Sequence, residues 1–356
     1  MISLLGLKAE INLPEDSFYT GSAIEIEYDI SNRNFFSIPL LLFYSNINKK
    51  LTGQIDKPKN LSLSPRETFK YKEALILKRR GFYTNIDLNI CVSDIFSIFN
   101  FKKVFHNKAK LLIYPSIIEL DSFRITSNKN LGEILVENSM FQDKTSISTI
   151  KDYSQGDPIN QIHWKVSAKR DSPMIKAFEK VSNTDLNIFL DSNRVLFKDD
   201  LDRRIEDKMV DASLAIVNYF LNLDIEISLN TFLANKRIEI SSKEQKELKP
   251  FLDLFARFKG DGPYSIGALI EDSIHSLADN SIVVIVTPNL DKEIGAIAIK
   301  LKMKNLIPIF IIISDRINNN IKIDKTVEKR LTEENIEIYF IDYSSNVKEE
   351  LEIRHG

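Results

Sequence analysis

The stretch SIVVIVTPNLDKEIGAIAIKLKMKNLIPIFIII, residues 281–313, reads as a strand, a helix and a second strand. Ser281 to Val286 and Leu306 to Ile313 are near-continuous apolar runs, the pattern of strands covered on both faces by helices. Asp291 to Met303 between them has the length of a connecting helix. The same alternation extends outward. Leu186 to Leu190 forms a buried strand that ends in Asp191, and a helix follows from about Leu201 to Leu221. Its Ile205, Met209, Ala212, Ile216 and Phe220 recur at helical spacing, which leaves Arg203, Glu206 and Asp207 outward. Strands at Ile225–Leu233 and Arg237–Ile240, a helix at Lys243–Phe258, another starting near Ser265 and a last strand at Ile336–Ile341 complete the series. Alternating strands and helices predict a doubly wound α/β domain over residues 181–356. In such a sheet ligands bind at the carboxyl ends of the strands, which directs attention to the loops after Leu190 and Val286.

The front of the chain has a different period. Ile24, Ile26, Tyr28 and Ile30 alternate with Glu25, Glu27 and Asp29, so one face of a strand is apolar and the other polar. Further strands are expected at Ile38–Tyr44, Glu67–Leu77, Phe82–Val92 and Lys110–Tyr114, separated by turn-forming residues. Several short strands without a long helix predict an immunoglobulin-like β-sandwich over residues 1–115. Residues 116–180 read as a connector, with one short helix expected before Ile150.

Composition removes several functions. In 356 residues, 48 Lys and Arg stand against 50 Asp and Glu, a formal charge of -2 that argues against a dedicated nucleic-acid binder. Cys91 is the one cysteine, so neither a disulfide framework nor a thiolate metal cluster is expected, and a reducing cytoplasmic compartment fits. The longest apolar runs, Pro39–Tyr44 and Leu306–Ile313, fall well short of the roughly 20 residues of a membrane span. The first residues, MISLLGLKAEINL, lack the features of a signal peptide. His106, His163, His275 and His355 are scattered without metal-ligand spacing, and neither a nucleophile elbow nor a phosphate-binding glycine loop occurs. Nothing points to an enzyme.

The connector carries the densest cluster of specific residues, KDYSQGDPINQIHWKVSAKR from Lys151 to Arg170. Gly156-Asp157-Pro158 reads as a turn, with Asp157 accepting backbone hydrogen bonds. Trp164, the one tryptophan, and Tyr153 read as packing residues. His163 and Lys165 would point away from Trp164 in an extended segment and offer the exposed contacts. Lys165, Lys169, Arg170, Lys176 and Lys180 are interspersed with Asp152, Asp157, Asp171 and Glu179, which makes a solvated face rather than a basic patch.

This stretch resembles the signature of the bacterial family called domain of unknown function 58. The matching positions are Lys151, Tyr153, Gly156, Asp157, Asn160, Ile162, Trp164, Ala168 and Lys169. Arg79-Arg80-Gly81-Phe82-Tyr83 and Asp94-Ile95-Phe96 are similar to two further motifs of that family. Lys151 and Asn160 depart from it by standing where the family has Arg, and the paired membrane helices that commonly precede such domains are missing. The resemblance implies a von Willebrand factor A-like (Rossmann-like) fold for the α/β domain and a non-enzymatic scaffold or adaptor role. It also implies a protein partner, a MoxR-type AAA+ ATPase, in an envelope or stress-related assembly. Membrane association, at the inner face, would then come through a missing anchor or a partner.

Domains of that kind often hold a divalent ion through three loops at the strand ends. Here the first loop reads Asp191-Ser192-Asn193-Arg194-Val195, in which Asn193 offers an amide oxygen and Val195 nothing. Pro263 stands where the second loop has Thr, and Thr287-Pro288-Asn289 replaces the acidic third loop. A hard cation such as magnesium needs a near-octahedral set of oxygens. The expectation is therefore a degenerate site without a cofactor. The alternative is a divalent-metal-dependent ligand-binding or adhesion protein in which Asp191 and Asn193 recruit magnesium.

Overall fold

A computed structural model describes residues 6–93, 98–125, 134–135, 142–152, 164–170, 172–180, 185–315 and 323–352. Contacts divide the chain into two compact units, residues 1–116 with 252–258, and residues 117–251 with 259–356.

The first unit begins with β1 (Leu7–Asn12), β2 (Ser17–Tyr19), β3 (Ala23–Asn32) and β4 (Ile38–Ser45). After the short helix α1 (Ile47–Thr52) come β5 (Lys59–Leu63), β6 (Thr68–Ile76), β7 (Gly81–Ser93) and β8 (Asn100–Tyr114). They form a three-stranded sheet, β1-β3-β6, and a five-stranded sheet, β2-β8-β7-β4-β5. Both contribute to one core. Ile24, Ile26, Tyr28 and Ile30 of β3 are buried with Phe43 of β4, Leu88 of β7 and Ile113 of β8. Burying each aliphatic side chain of this kind contributes about 1.5–3 kcal/mol. The Tyr28 hydroxyl is satisfied within that core by Ser45 Oγ at 3.0 Å. The period-two pattern therefore produces a β-sandwich. Helix α1 and the short strands β1, β2 and β5 lie outside the sequence-based expectation.

In the second unit, β9 (Arg124–Ile125) pairs with β10 (Ile134–Leu135), and β11 (Gln142–Asp152) pairs antiparallel with β12 (Met174–Lys180). Helix α2 (Trp164–Arg170) lies between β11 and β12. Two expectations are corrected by these elements. Where a short helix was expected before Ile150, the elements among the described residues are the strands β9, β10 and β11, and β11 suits the β-branched residues Thr145, Ile147, Thr149 and Ile150. The chain at Trp164 and Lys165 is helical rather than extended.

After β12 the chain runs β13 (Leu186–Leu190), α3 (Arg204–Leu221), β14 (Ile227–Leu233), β15 (Lys236–Ser242), α4 (Leu248–Arg257), whose residues from Leu252 group with the first unit, and α5 (Ile266–Ser273). It continues with β16 (Ile282–Thr287), α6 (Lys292–Met303), β17 (Ile307–Ser314), α7 (Lys325–Glu333), β18 (Glu337–Asp342) and α8 (Val347–Glu352). The six strands form one sheet in the order β15-β14-β13-β16-β17-β18. All neighbours are parallel except β14 and β15. Phe189, Val283, Ile285, Phe310 and Ile312 pack with residues of α5, α6 and α7. The intervening Ile188, Leu190, Val284, Val286, Ile309 and Ile311 are equally buried. Such double-sided burial is what the continuous apolar runs require. Helices α7 and α8 are additions to the expected series, and Glu206 is buried rather than outward.

Candidate functional site

Sheet order reverses between β13 and β16, because β14 lies beyond one and β17 beyond the other. That crevice, at the carboxyl ends of the strands, is where an open parallel sheet places a ligand. Asp191 is the first residue after β13, and Thr287 is the last of β16. Their side chains meet. Thr287 Oγ1 donates to Asp191 Oδ2 at 2.7 Å, and the Asn193 N–H donates to Asp191 Oδ1 at 3.0 Å. Only 2% of Asp191 is exposed, and burial pushes its carboxyl up to about 6. The two hydrogen bonds oppose that shift, while the charges of Glu293 and Asp291 add to it.

The other expected loop positions are drawn into the same closure. Asn193 Oδ1 accepts from the Val195 N–H at 3.1 Å, so the amide oxygen expected as a ligand is turned onto its own loop. Asn289 donates from its backbone to Thr287 Oγ1 at 3.2 Å and from Nδ2 to Asp291 Oδ2 at 2.7 Å. Asp291 also caps α6 by accepting the Ile294 N–H at 3.0 Å. A parallel bridge ties Asn193 to Gly262, with Gly262 N–H donating to Ser192 O at 2.7 Å and Arg194 N–H to Gly262 O at 3.0 Å. A side chain at Gly262 would run into Ser192 Oγ and come within 3.0 Å of the Ser192 carbonyl. Pro263 follows without a side-chain oxygen, and Val195 is 67% exposed.

These residues do not fit a divalent ion. Both carboxylate oxygens of Asp191 are engaged by donors, Asn193 faces its own backbone, and Val195 and Pro263 supply no side-chain ligand. Among the described residues there is no group of three or more His, Cys, Asp or Glu placed to hold a metal. Asp191 is enclosed by these bonds and 2% exposed. Its arrangement fastens three loops together.

Sequence reasoning missed a second polar layer beside these loops. Asp200 accepts the N–H groups of Ile205 and Glu206 at 3.3 and 3.0 Å, holding the start of α3, and burial raises its pKa against those bonds. The Glu206 carboxylate receives Arg203 Nε at 3.0 Å and the Gly260 N–H at 3.0 Å, which explains how a charged residue occupies a buried helical position. Arg204 pairs with the buried Asp315 at 2.8 Å and lies over the Tyr343 ring at 4.6 Å. The run Asp199-Asp200-Leu201-Asp202 before a helix was the available signal, since acidic residues favour helix starts.

Of the signature positions, Lys151 is the penultimate residue of β11, and Trp164 and Lys165 begin α2. Tyr153, Gly156, Asp157 and His163 lie outside the described residues, as do Asn160, Ile162 and the Asp94-Ile95-Phe96 motif. The Arg79–Tyr83 motif is described and is structural. Buried Arg80 donates from Nη1 to the carbonyls of Phe255 and Phe258 at 2.7 and 3.0 Å, satisfying the end of α4. Tyr83 donates to the carbonyls of Lys50 and Arg80 at 3.1 and 3.2 Å.

No protein-family model matches the chain, and no curated protein does either. Among solved structures it is similar to the CARDB domain of the PF1109 protein from Pyrococcus furiosus, at 17% identity and a TM-score of 0.22, over 30% of this chain and 91% of that one. It is also similar to proximal thread matrix protein 1 from the mussel byssus, at 16% identity and a TM-score of 0.35, over 48% and 46% of the two chains. For the sporulation control protein Spo0M from Bacillus subtilis the values are 10% and 0.20, over 30% and 49%. These likenesses are too slight to bear on what the chain does. Among the described residues no helix is long and apolar enough to cross a membrane.

Proposed function

We propose that the chain is a non-enzymatic scaffold or adaptor that binds a protein partner through the strand-end loops of a von Willebrand factor A-like, doubly wound domain. The supporting observation is the exposure of large apolar side chains on those loops. Val195 and Leu201, on the loop after β13, are 67% and 86% exposed, and Tyr264, two residues beyond the Gly262 bridge, is 58% exposed. A loop framework locked from beneath by Asp191 and Thr287 can present such anchors without reorganising, and rigid apolar or aromatic anchors dominate binding energies. Asp199, Asp202 and Asp261 stand among them and favour a partner with complementary basic residues. By the family resemblance that partner is a MoxR-type AAA+ ATPase, and the assembly belongs to the envelope or a stress response.

The test is direct binding between the purified chain and the MoxR-type ATPase of the same cell, by calorimetry with and without EDTA. Wild type is expected to bind equally in both, and Val195→Asp with Leu201→Asp to weaken binding at least tenfold at an unchanged melting temperature. Absence of binding, or full binding by the double variant, refutes the reading. A saturable magnesium-dependent stabilisation lost in Asp191→Ala would instead establish metal-dependent ligand binding.

A further inference from the structure

One pole of the β-sandwich gathers residues 33–37 between β3 and β4, residues 64–67 between β5 and β6, and residues 98–99 leading into β8. Strand register puts them together, because Ser31 pairs with Thr68, Ile38 with Leu63, Leu40 with Ser93 and Ser93 with Asn100. The opposite pole, where β7 starts, is the one at which Arg80 bonds to Phe255 and Phe258. The first pole carries large apolar side chains that face water. Phe35 is 80% exposed and Ile98 69%, and Phe36 and Phe99 are exposed beside them. None of the four belongs to the core of the sandwich. Exposed apolar residues grouped in this way mark an interaction surface.

Their exposure does not come from loosely held loops. Buried Asn32 donates from Nδ2 to the carbonyls of Phe36 and Ser64, both at 2.9 Å, and its Oδ1 accepts the Asn34 N–H at 3.1 Å. The Asn32 N–H donates to Glu67 O and the Arg33 N–H to Gly6 O, both at 2.8 Å. Polar bonds from beneath therefore brace the loops, and the rings above them are spare to folding. Arg33 and Arg66 stand among those rings, both exposed and neither in an ion pair among the described residues. The Arg66 guanidinium lies over the Phe35 ring at 4.6 Å, so charge and ring sit at one level. Nearby carboxylates are engaged: Glu10 pairs with Lys8 at 2.7 Å, and Glu67 accepts the Ser64 N–H at 2.6 Å. Aromatic and aliphatic tips flanked by cations suit the headgroup boundary of an anionic bilayer, where rings enter the interface and cations meet phosphates. Tips borne on separate loops would need a matching concavity in a protein partner, whereas a bilayer accepts them at any contour.

We propose that this pole docks the sandwich on an anionic membrane surface, with Phe35, Phe36, Ile98 and Phe99 in the headgroup boundary and Arg33 and Arg66 on lipid phosphates. The docking is independent of the partner-binding loops of the second unit. The test is co-sedimentation of the full chain with vesicles of phosphatidylcholine, alone or with about one third phosphatidylglycerol. Binding to the anionic vesicles is expected to be roughly tenfold stronger than to the neutral ones, and to fall in about 0.5 M salt. Phe35→Asp with Ile98→Asp should abolish it at an unchanged melting temperature, since both side chains lie outside the core. Arg33→Glu with Arg66→Glu should remove the preference for anionic lipid. Phe35→Trp should gain fluorescence that brominated lipid quenches beyond any quenching of the wild type. Absence of vesicle binding, binding that survives the double aspartate variant, or no added quenching in Phe35→Trp overturns the proposal. So does capture of a protein by wild type and not by the aspartate variant when neither binds vesicles, which would assign the pole to a protein partner.

Discussion

Replacing Asp191 by Asn is expected to stabilise the second unit at neutral pH, an unusual outcome for a substitution at a buried hydrogen-bonded residue. The carboxyl is raised from 3.8 to about 6 in the folded protein. Between those values the folded state keeps a proton that the unfolded chain has lost, so stability falls as pH rises through the window. A difference of about two pKa units corresponds to about 3 kcal/mol, present below pH 4 and lost above pH 6. An amide remains neutral throughout. It has one acceptor oxygen for two donors, the Asn193 N–H and the Thr287 hydroxyl, which costs about 1 kcal/mol. Asp191→Asn should thus be about 1 kcal/mol less stable than wild type near pH 4 and about 2 kcal/mol more stable near pH 7.5. Urea titrations followed by far-ultraviolet circular dichroism, at half-unit steps from pH 4 to 8, give the difference directly. The comparison removes contributions from carboxylates common to both proteins. A constant difference across that range, or a variant less stable than wild type at pH 7.5, would refute the assignment of the raised carboxyl to Asp191.

Gly262→Ala should lower stability by about 1–3 kcal/mol, because the new methyl meets Ser192 Oγ and the Ser192 carbonyl across the loop bridge. Hydrogen exchange should locate the loosening at residues 192–195, and unchanged exchange there would count against the bridge as the loop's fastening. Arg80→Ala should cost about 3 kcal/mol, since it removes charge-assisted bonds to two helix-terminal carbonyls and leaves them buried. A fall in melting temperature no larger than that of an exposed arginine variant, such as Arg66→Ala, would show the contact to be dispensable.

The apolar runs at Leu186–Leu190, Ile282–Val286 and Ile307–Ile313 were legible because a strand buried on both faces has few polar positions, Asn187 being the exception in the first. Helix α7 was not, since Leu331 is its one fully buried residue and leaves no apolar period to read. Glu206 was misplaced for a related reason. Charge at a helical position implies solvent unless partners are known, and its partners Arg203 and Gly260 converge only after the chain folds. The loop residues Asp191, Asn193, Thr287 and Asn289 were identifiable from strand ends and donor types. Their mutual bonds were not, because the pairing of Asn193 with Gly262 joins segments nearly 70 residues apart.

The grouping of residues 252–258 with the sandwich bears on how the protein is made. Arg80 finds its carbonyl acceptors 175 and 178 residues later in the chain. Ribosomes add about 5–20 residues per second, so the stretch from Ser116 to Leu252 occupies roughly 7–30 s of synthesis. Throughout that interval the Arg80 guanidinium lacks its two carbonyl acceptors, Phe255 and Phe258. Final closure of the sandwich must wait for translation of the sheet's first strands, and a gene fragment ending at Ser116 would leave it permanently at that stage.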